Sequence, residues 1–293
     1  MTTHGRSERP RSRRSPVVIG VGALALLAAA LLLNLRQAED AAAAATARAP
    51  TPQEDVWFRG DFETGDLRGW HGDLARPESA QVVTEPVRRG RHAVRITLAP
   101  GDRAAQKERA ELRLGDRGLE RVHAGEGKTV WSGWSLLVPE DHADPPGGQY
   151  PILAQWHHRP DRPSGGAGPA HVTGPPPLAL YLVSDAGRQS LVLIAQEGPT
   201  APPKRLAERA IRRGQWIDLV FQTRWSTGDD GLVAAWIDGE PFTDGARHGP
   251  TLYNPLGNYL RLGFYRGKGG TTTNRVYYDE VWMAGAPPPG LAR

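Results

Sequence analysis

From about residue 56 onward, apolar and polar residues alternate with a period of two, the mark of β-strands with one face buried. The alternation predicts strands over 81–84, 92–98, 107–114, 130–138, 151–157, 216–223, 258–265 and 275–283, preceded by a first strand from Trp57 that runs into turns. Two hairpins stand out. Segments 178–183 and 190–195 are joined through Asp185-Ala-Gly187, and 232–239 ends in the tight-turn pair Asp238-Gly239. The Pro- and Gly-rich stretch 159–177 reads as a long surface loop, and 199–215 reads as polar and irregular. About ten short strands and no amphipathic helix predict an all-β chain. The expected fold is a two-sheet β-sandwich, a β-jelly roll of concanavalin-like type, over 56–285.

Three of these strands carry more polar chemistry on one face than a half-buried strand needs. Asn258-Tyr-Leu-Arg-Leu-Gly-Phe-Tyr265 places Tyr259, Arg261, Gly263 and Tyr265 opposite Leu260, Leu262 and Phe264. In the segment from Lys107 to Leu114, Lys107, Arg109, Glu111 and Arg113 oppose Ala110, Leu112 and Leu114. Pro151-Ile-Leu-Ala-Gln-Trp-His157 sets Gln155 and His157 against Ile152, Ala154 and Trp156. Same-face neighbours on a strand stand roughly 7 Å apart, so three such strands side by side would floor a groove with Arg, Gln, His and Tyr.

Taken singly, each of these residues has an ordinary structural use: an exposed ion pair, a satisfied imidazole, a sheet tyrosine. Together they are the groups that remove a proton alpha to a carboxylate. The guanidinium and the amide would bind the carboxylate and stabilise the charge that develops on it. His157 or Tyr265 would take the proton, and Tyr265 could return one to the leaving oxygen. On a uronic acid polymer those steps amount to β-elimination, with no cofactor required for the chemistry.

Charge alters the picture of partners. The formal net charge is +4, but residues 1–50 hold seven Arg against three acidic residues. Of the 36 basic and 32 acidic side chains, 29 of each therefore fall in residues 51–293, and this balance argues against a nucleic-acid partner. The chain has no Cys, which removes disulfides and thiolate metal sites. Five Arg and one Glu in residues 1–15 precede an apolar run from Pro16 to Leu33, so residues 1–35 read as a signal peptide or a membrane anchor. Residues 36–55 follow as an Ala/Pro-rich linker with small-residue cleavage sites such as Ala45-Thr-Ala47. The expected location is extracytoplasmic, secreted or held at the membrane by that segment, and the expected state is a monomer. The end, 286–293 with Pro287-Pro-Pro-Gly, reads as a disordered tail.

Arg109-Ala-Glu-Leu112, Gln155-Trp-His157 and Tyr259-Leu-Arg-Leu-Gly-Phe-Tyr265 resemble the three signature strands of jelly-roll polysaccharide lyases. Trp131-Ser-Gly-Trp-Ser-Leu-Leu-Val-Pro139 before Gln155-Trp-His157 and a final Val276-Tyr-Tyr-Asp-Glu-Val281 look most like the heparin lyase I and glucuronan lyase group, with related motifs in alginate lyases. The resemblance spans roughly 57–284. It implies a catalytic pair in His157 and Tyr265, carboxylate binding by Arg109 and Gln155, and substrate contact by Arg261. Two departures matter. Arg261 stands where Lys is frequent, and Trp156 stands where the alginate lyase motif has Ile or Val. Lys107, Arg266 and Lys268 are further candidate substrate contacts, with Glu111 and Tyr259 beside them. The segment 266–274 is a candidate lid. So few extra cations favour a non-sulfated polyuronate over heparin. Asp61, Glu63 and Asp279 could meet where the first and last strands pair, as an oxygen-ligand site for structural calcium. The rival reading is a non-catalytic carbohydrate-binding module on the same fold. A glycoside hydrolase ranks last, because no strand offers the two facing carboxylates it needs.

Overall fold

The computed structural model describes residues 55–114, 125–144, 150–159, 174–185, 187–289 and 291. The expected signal or anchor segment, the linker up to residue 54 and most of the expected surface loop 159–177 lie outside them. Sixteen strands follow in chain order: β1 (Val56–Gly60), β2 (Trp70–Asp73), β3 (Ala80–Val83), β4 (Ala93–Leu98), β5 (Arg109–Leu114), β6 (Thr129–Leu137), β7 (Ile152–His158), β8 (Leu178–Asp185), β9 (Arg188–Ala195), β10 (Lys204–Ile211), β11 (Trp216–Arg224), β12 (Leu232–Ile237), β13 (Glu240–Pro241), β14 (Arg247–His248), β15 (Asn258–Tyr265) and β16 (Asn274–Ala284). The sole helical element among the described residues is one 3-10 turn, Pro77–Ser79.

The strands form two antiparallel sheets. The first runs β13-β12-β11-β6-β16-β4-β3, with β1 on β16 and β14 on β12. The second runs β10-β9-β8-β7-β15-β5-β2 and carries the three polar strands as neighbours, β5-β15-β7. Ala110, Leu112 and Leu114 of β5 point between the sheets, as do Leu260, Leu262 and Phe264 of β15, so the predicted alternation holds there.

The core is aromatic at its centre. Trp134 of β6 stacks on Phe221 of β11 at 4.9 Å, and Trp156 of β7 meets the same ring edge-on at 4.9 Å. A buried ring of this size removes roughly 150–250 Å² from water, a gross gain of about 4–6 kcal/mol. Tyr278 spans the sandwich from β16: its hydroxyl lies 2.7 Å from the carbonyl oxygens of both Leu153 and Gly263, in the opposite sheet.

Three expectations are corrected. Residues 204–211 form the edge strand β10 rather than an irregular stretch. Its charges lie on both faces, since Lys204, Arg205 and Glu208 are all exposed, so the apolar alternation is masked. In β7 a bulge between Ile152 and Ala154 breaks the period, so that Leu153 joins the core in place of Ile152. At the C-terminus, Pro287, Pro288, Pro289 and Leu291 lie against a second aromatic cluster on the outer face of the first sheet, where Trp131 and Trp236 stack at 5.5 Å.

Candidate active site

The register lays the polar face out in rows. His157 pairs with Tyr259, and Gln155 with Arg261, which pairs in turn with Arg113. Gly263 pairs with Glu111, which pairs with Asp73 of β2. Tyr265 pairs with Arg109 on one side and Ile152 on the other, and Ile152 pairs with Tyr181 of β8. A register shift between Leu262 and Tyr265 bends β15 at this point. Gly263 makes the bend possible. It sits at φ 158°, and a Cβ there would stand 2.2 Å from the Ala110 carbonyl oxygen.

Three guanidiniums and two carboxylates interlock on this floor. Glu111 is buried at 2 % exposure, accepts a short hydrogen bond from Gln155 Nε2, and lies 3.4 Å from Arg261 and 3.5 Å from Arg109. Asp73 makes a short pair with Arg261 and lies 3.7 Å from Arg109 and 3.9 Å from Arg113. Burial pushes the Glu111 carboxyl above its usual range against the pull of Arg261, Gln155 and Arg109. With both acids ionised, the five groups sum to a single positive charge, the complement of one carboxylate.

His157 and Tyr265 flank this cluster. His157 lies with its ring 5.7 Å from that of Tyr259 and 4.4 Å from that of His158, and its Nδ1 is 3.0 Å from the His158 carbonyl oxygen. That contact assigns the proton to Nδ1 and leaves Nε2 as the basic nitrogen. Burial lowers the His157 pKa to about 4, and the positive charges of Arg261 and Arg109 push in the same direction. The imidazole is therefore neutral, and able to accept a proton, across the ordinary pH range. Arg109, the register partner of Tyr265, is among the charges that act on His157, so the two ends of the floor share one field. Tyr259 accepts a hydrogen bond from Arg261 at 2.9 Å, and that guanidinium lies over its ring at 5.1 Å.

Other expected site residues belong elsewhere. Lys107 is not in the strand: it closes a tight turn with Ala104, across Ala105 and Gln106 at positive φ, before β5 begins. Arg266 is no surface contact. Its side chain is 1 % exposed, pairs with Glu108 at 3.0 Å and donates to the Thr272 carbonyl and to Asn274, both at 2.6 Å. Glu108 also accepts the amides of Gly269 and Gly270, so the expected lid is tied down at its base. Lys268 is exposed on that same loop.

The expected calcium ligands do not converge. Glu63 accepts the amides of Arg91 and His92 at 2.8 and 2.9 Å, Asp61 accepts that of Glu63 at 3.2 Å, and Asp279 accepts those of Arg88 and Arg89 at 2.8 and 3.1 Å. Among the described residues no group of three or more His, Asp or Glu side chains is placed to hold a metal ion. These carboxylates fasten turns.

Asp73 is the site residue that the sequence did not disclose. It ends a four-residue strand at the sheet edge, too short to show a period, inside a stretch that reads as turns. Tyr181 was likewise hidden in an apolar hairpin.

The fold and this floor define a jelly-roll lyase of polysaccharides. The polysaccharide lyase profile matches residues 62–282, and the chain belongs to that family. No curated protein sequence matches it. Among solved structures, the chain is similar to endo-beta-1,4-glucuronan lyase from the fungus Trichoderma reesei, at 20 % identity and a TM-score of 0.56, over 80 % of this chain and 99 % of that one. It is similar to alginate lyase A1-II', at 15 % identity and a TM-score of 0.56, over 78 % and 100 % of the two chains. A conserved carbohydrate esterase, vb_24B_21 from the Shiga toxin-encoding bacteriophage phi24B, shares the fold at 18 % identity and a TM-score of 0.50, over 79 % and 99 %. One scaffold thus carries different chemistries, and the side chains on its floor decide which.

Proposed function

We propose that this protein is an exported lyase that cleaves a non-sulfated polymer of uronic acid by β-elimination. Arg109 and Arg261 bind the uronate carboxylate, and Gln155 adds the second N–H of its amide, the first being fixed by Glu111. Neutral His157 takes the proton from C5. The electrons released form the C4–C5 double bond, the C4–O4 bond breaks, and Tyr265 gives its proton to the departing O4. The observation that carries the proposal is a floor of three guanidiniums interlocked with two carboxylates, with a basic, neutral imidazole at one end and a tyrosine at the other. Guanidiniums already engaged by Glu111 and Asp73 suit a single carboxylate better than the several sulfate groups of a heparin-like chain. The basic flank and apolar run at the N-terminus support action outside the cytoplasm, in secreted or membrane-held form.

The test is ultraviolet absorbance of the conjugated uronate as the full chain is incubated with polyglucuronate, alginate and heparin in turn. A rise with a non-sulfated polymer, lost in both Tyr265→Phe and His157→Ala, is the expected result. Binding without any rise would make this a carbohydrate-binding module. A second assignment of the acid has its own support, since Tyr259 lies against His157 with its hydroxyl held by Arg261. If Tyr259→Phe abolishes the rise and Tyr265→Phe does not, the proton comes from Tyr259.

A further inference from the structure

The groove floor does not end at β7. Two strands further across the same sheet, a pocket of about 490 Å³ opens over β8 and β9, within the size range of ligand sites. Its character reverses that of the charged floor. Ala179, Tyr181 and Val183 of β8 and Val192 and Ile194 of β9 form its base, and prolines, among them Pro175 and Pro203, form its walls. The wall is held in place: the Tyr253 hydroxyl donates to the Pro175 carbonyl at 3.0 Å. Tyr150, one of two large exposed apolar side chains among the described residues at 51 %, stands at the rim. Among the described residues the sole cation in the lining is Arg205, which is paired with Glu208 on β10.

The pocket and the charged floor are continuous. Tyr181 pairs with Ile152, and Ile152 with Tyr265, so Tyr181 and Tyr265 lie in one row across three strands, about 10 Å apart at two strand spacings. Burial pushes the Tyr181 phenol up, and Tyr265 adds to that push. A polymer cleaved beside Tyr265 therefore passes over this pocket within the reach of a short oligosaccharide.

A bare uronate suits the pocket badly. Its carboxylate would lose water with only one, already paired, cation in return. The C–H faces of its rings can stack on Tyr150 and Tyr181 at the edge, but an acidic polymer fills an apolar base of Val183, Val192 and Ile194 only where a hydroxyl carries an apolar group. Resting on the lyase reading above, we propose that this pocket is a subsite for an O-acetylated uronate residue. The acetyl methyl packs on Val183, Val192 and Ile194, with Tyr150 closing over the sugar. The protein is then a lyase for a partly acetylated polyuronate, and the ester is read by the pocket and left intact.

The experiment uses one batch of polyglucuronate in two forms, O-acetylated and fully de-esterified. The elimination rate of the full chain is measured on each. The acetylated form is expected to give a kcat/KM at least about fourfold higher, the worth of one buried methyl. Val183→Thr/Val192→Thr, which keeps the shape of the pocket but makes it polar, should remove that difference and leave the rate on the de-esterified form unchanged. Equal rates on the two forms, or a lower rate on the acetylated one, overturn the proposal while the lyase reading stands. If neither form is cleaved, the lyase reading fails, and binding still decides the pocket. Affinity electrophoresis of Tyr265→Phe should show tighter retention by the acetylated form, and equal retention refutes the subsite.

Discussion

Replacing Arg266 by Met separates two incompatible roles for that residue. The sequence places Arg266 beside Tyr265 as a substrate contact, whereas the structure buries it against Glu108 with both side chains at or below 3 % exposure. Met preserves much of the volume and removes the charge. Glu108 then keeps only the amides of Gly269 and Gly270, and Asn274 and the Thr272 carbonyl lose their donor. Breaking a buried pair in this way costs about 3–5 kcal/mol. At roughly 2–4 °C per kcal/mol for a domain of this size, Tm should fall by on the order of 10 °C. The loss should also depend on pH. Burial works to raise the Glu108 pKa, but the Gly269 amide, the Arg266 guanidinium and the Gly270 amide hold it below the ordinary value. Its contribution to stability is therefore complete above the usual Glu range and lost as pH falls through and below it. Melting curves of wild type and Arg266→Met at neutral and acidic pH, followed by circular dichroism, give both numbers. If Tm shifts by less than about 2 °C while KM rises severalfold, the buried anchor is refuted and Arg266 belongs to the groove.

Four further outcomes concern the groove floor and what supports it. Because His157 is held at about 4 rather than 6.5, kcat/KM should stay level as pH drops from 7 to 5, and a half-loss near 6.5 would show that the imidazole is not the buried base. The same shift makes the unfolded chain bind the extra proton between those two values, so stability rises with pH through that window and is complete above it. Gly263→Ala should destabilise by about 3 kcal/mol or more, because its Cβ meets the backbone of β5 and not a movable side chain, and urea titration of the purified variant measures it. Tyr278→Phe strips two buried carbonyls of their hydroxyl donor, a loss of about 1–3 kcal/mol, and should lower kcat as well because both carbonyls belong to the bulged part of the site.

Much of this was legible because β5, β7 and β15 are half-buried strands whose apolar face is enforced by the core. Where one face must be Leu, Leu and Phe, the residues left over on the other face announce themselves as Tyr, Arg, Gly and Tyr. Legibility failed where that constraint lapses. Asp73 lies on a strand too short to show a period, and β10 is an exposed edge with charge on both faces. Ile152 sits at a bulge, where one extra residue reverses inside and outside. Arg266 misled for another reason. A buried arginine has the same letter as an exposed one, and its partner Glu108 lies 158 residues away in sequence.

The position of β16 bears on how the chain comes to be folded at all. β16, the last of these strands in chain order, lies between β4 and β6 and also carries β1, so Val56 pairs with Ala284. Until β16 emerges, those three earlier strands lack their neighbour and present open hydrogen-bonding edges. No early half of this domain closes by itself, and contacts of such long sequence separation form slowly. The nascent chain is exposed to wrong pairings until β16 is available. Trimming the C-terminus past Ala284 would take away the middle of a sheet rather than its fringe.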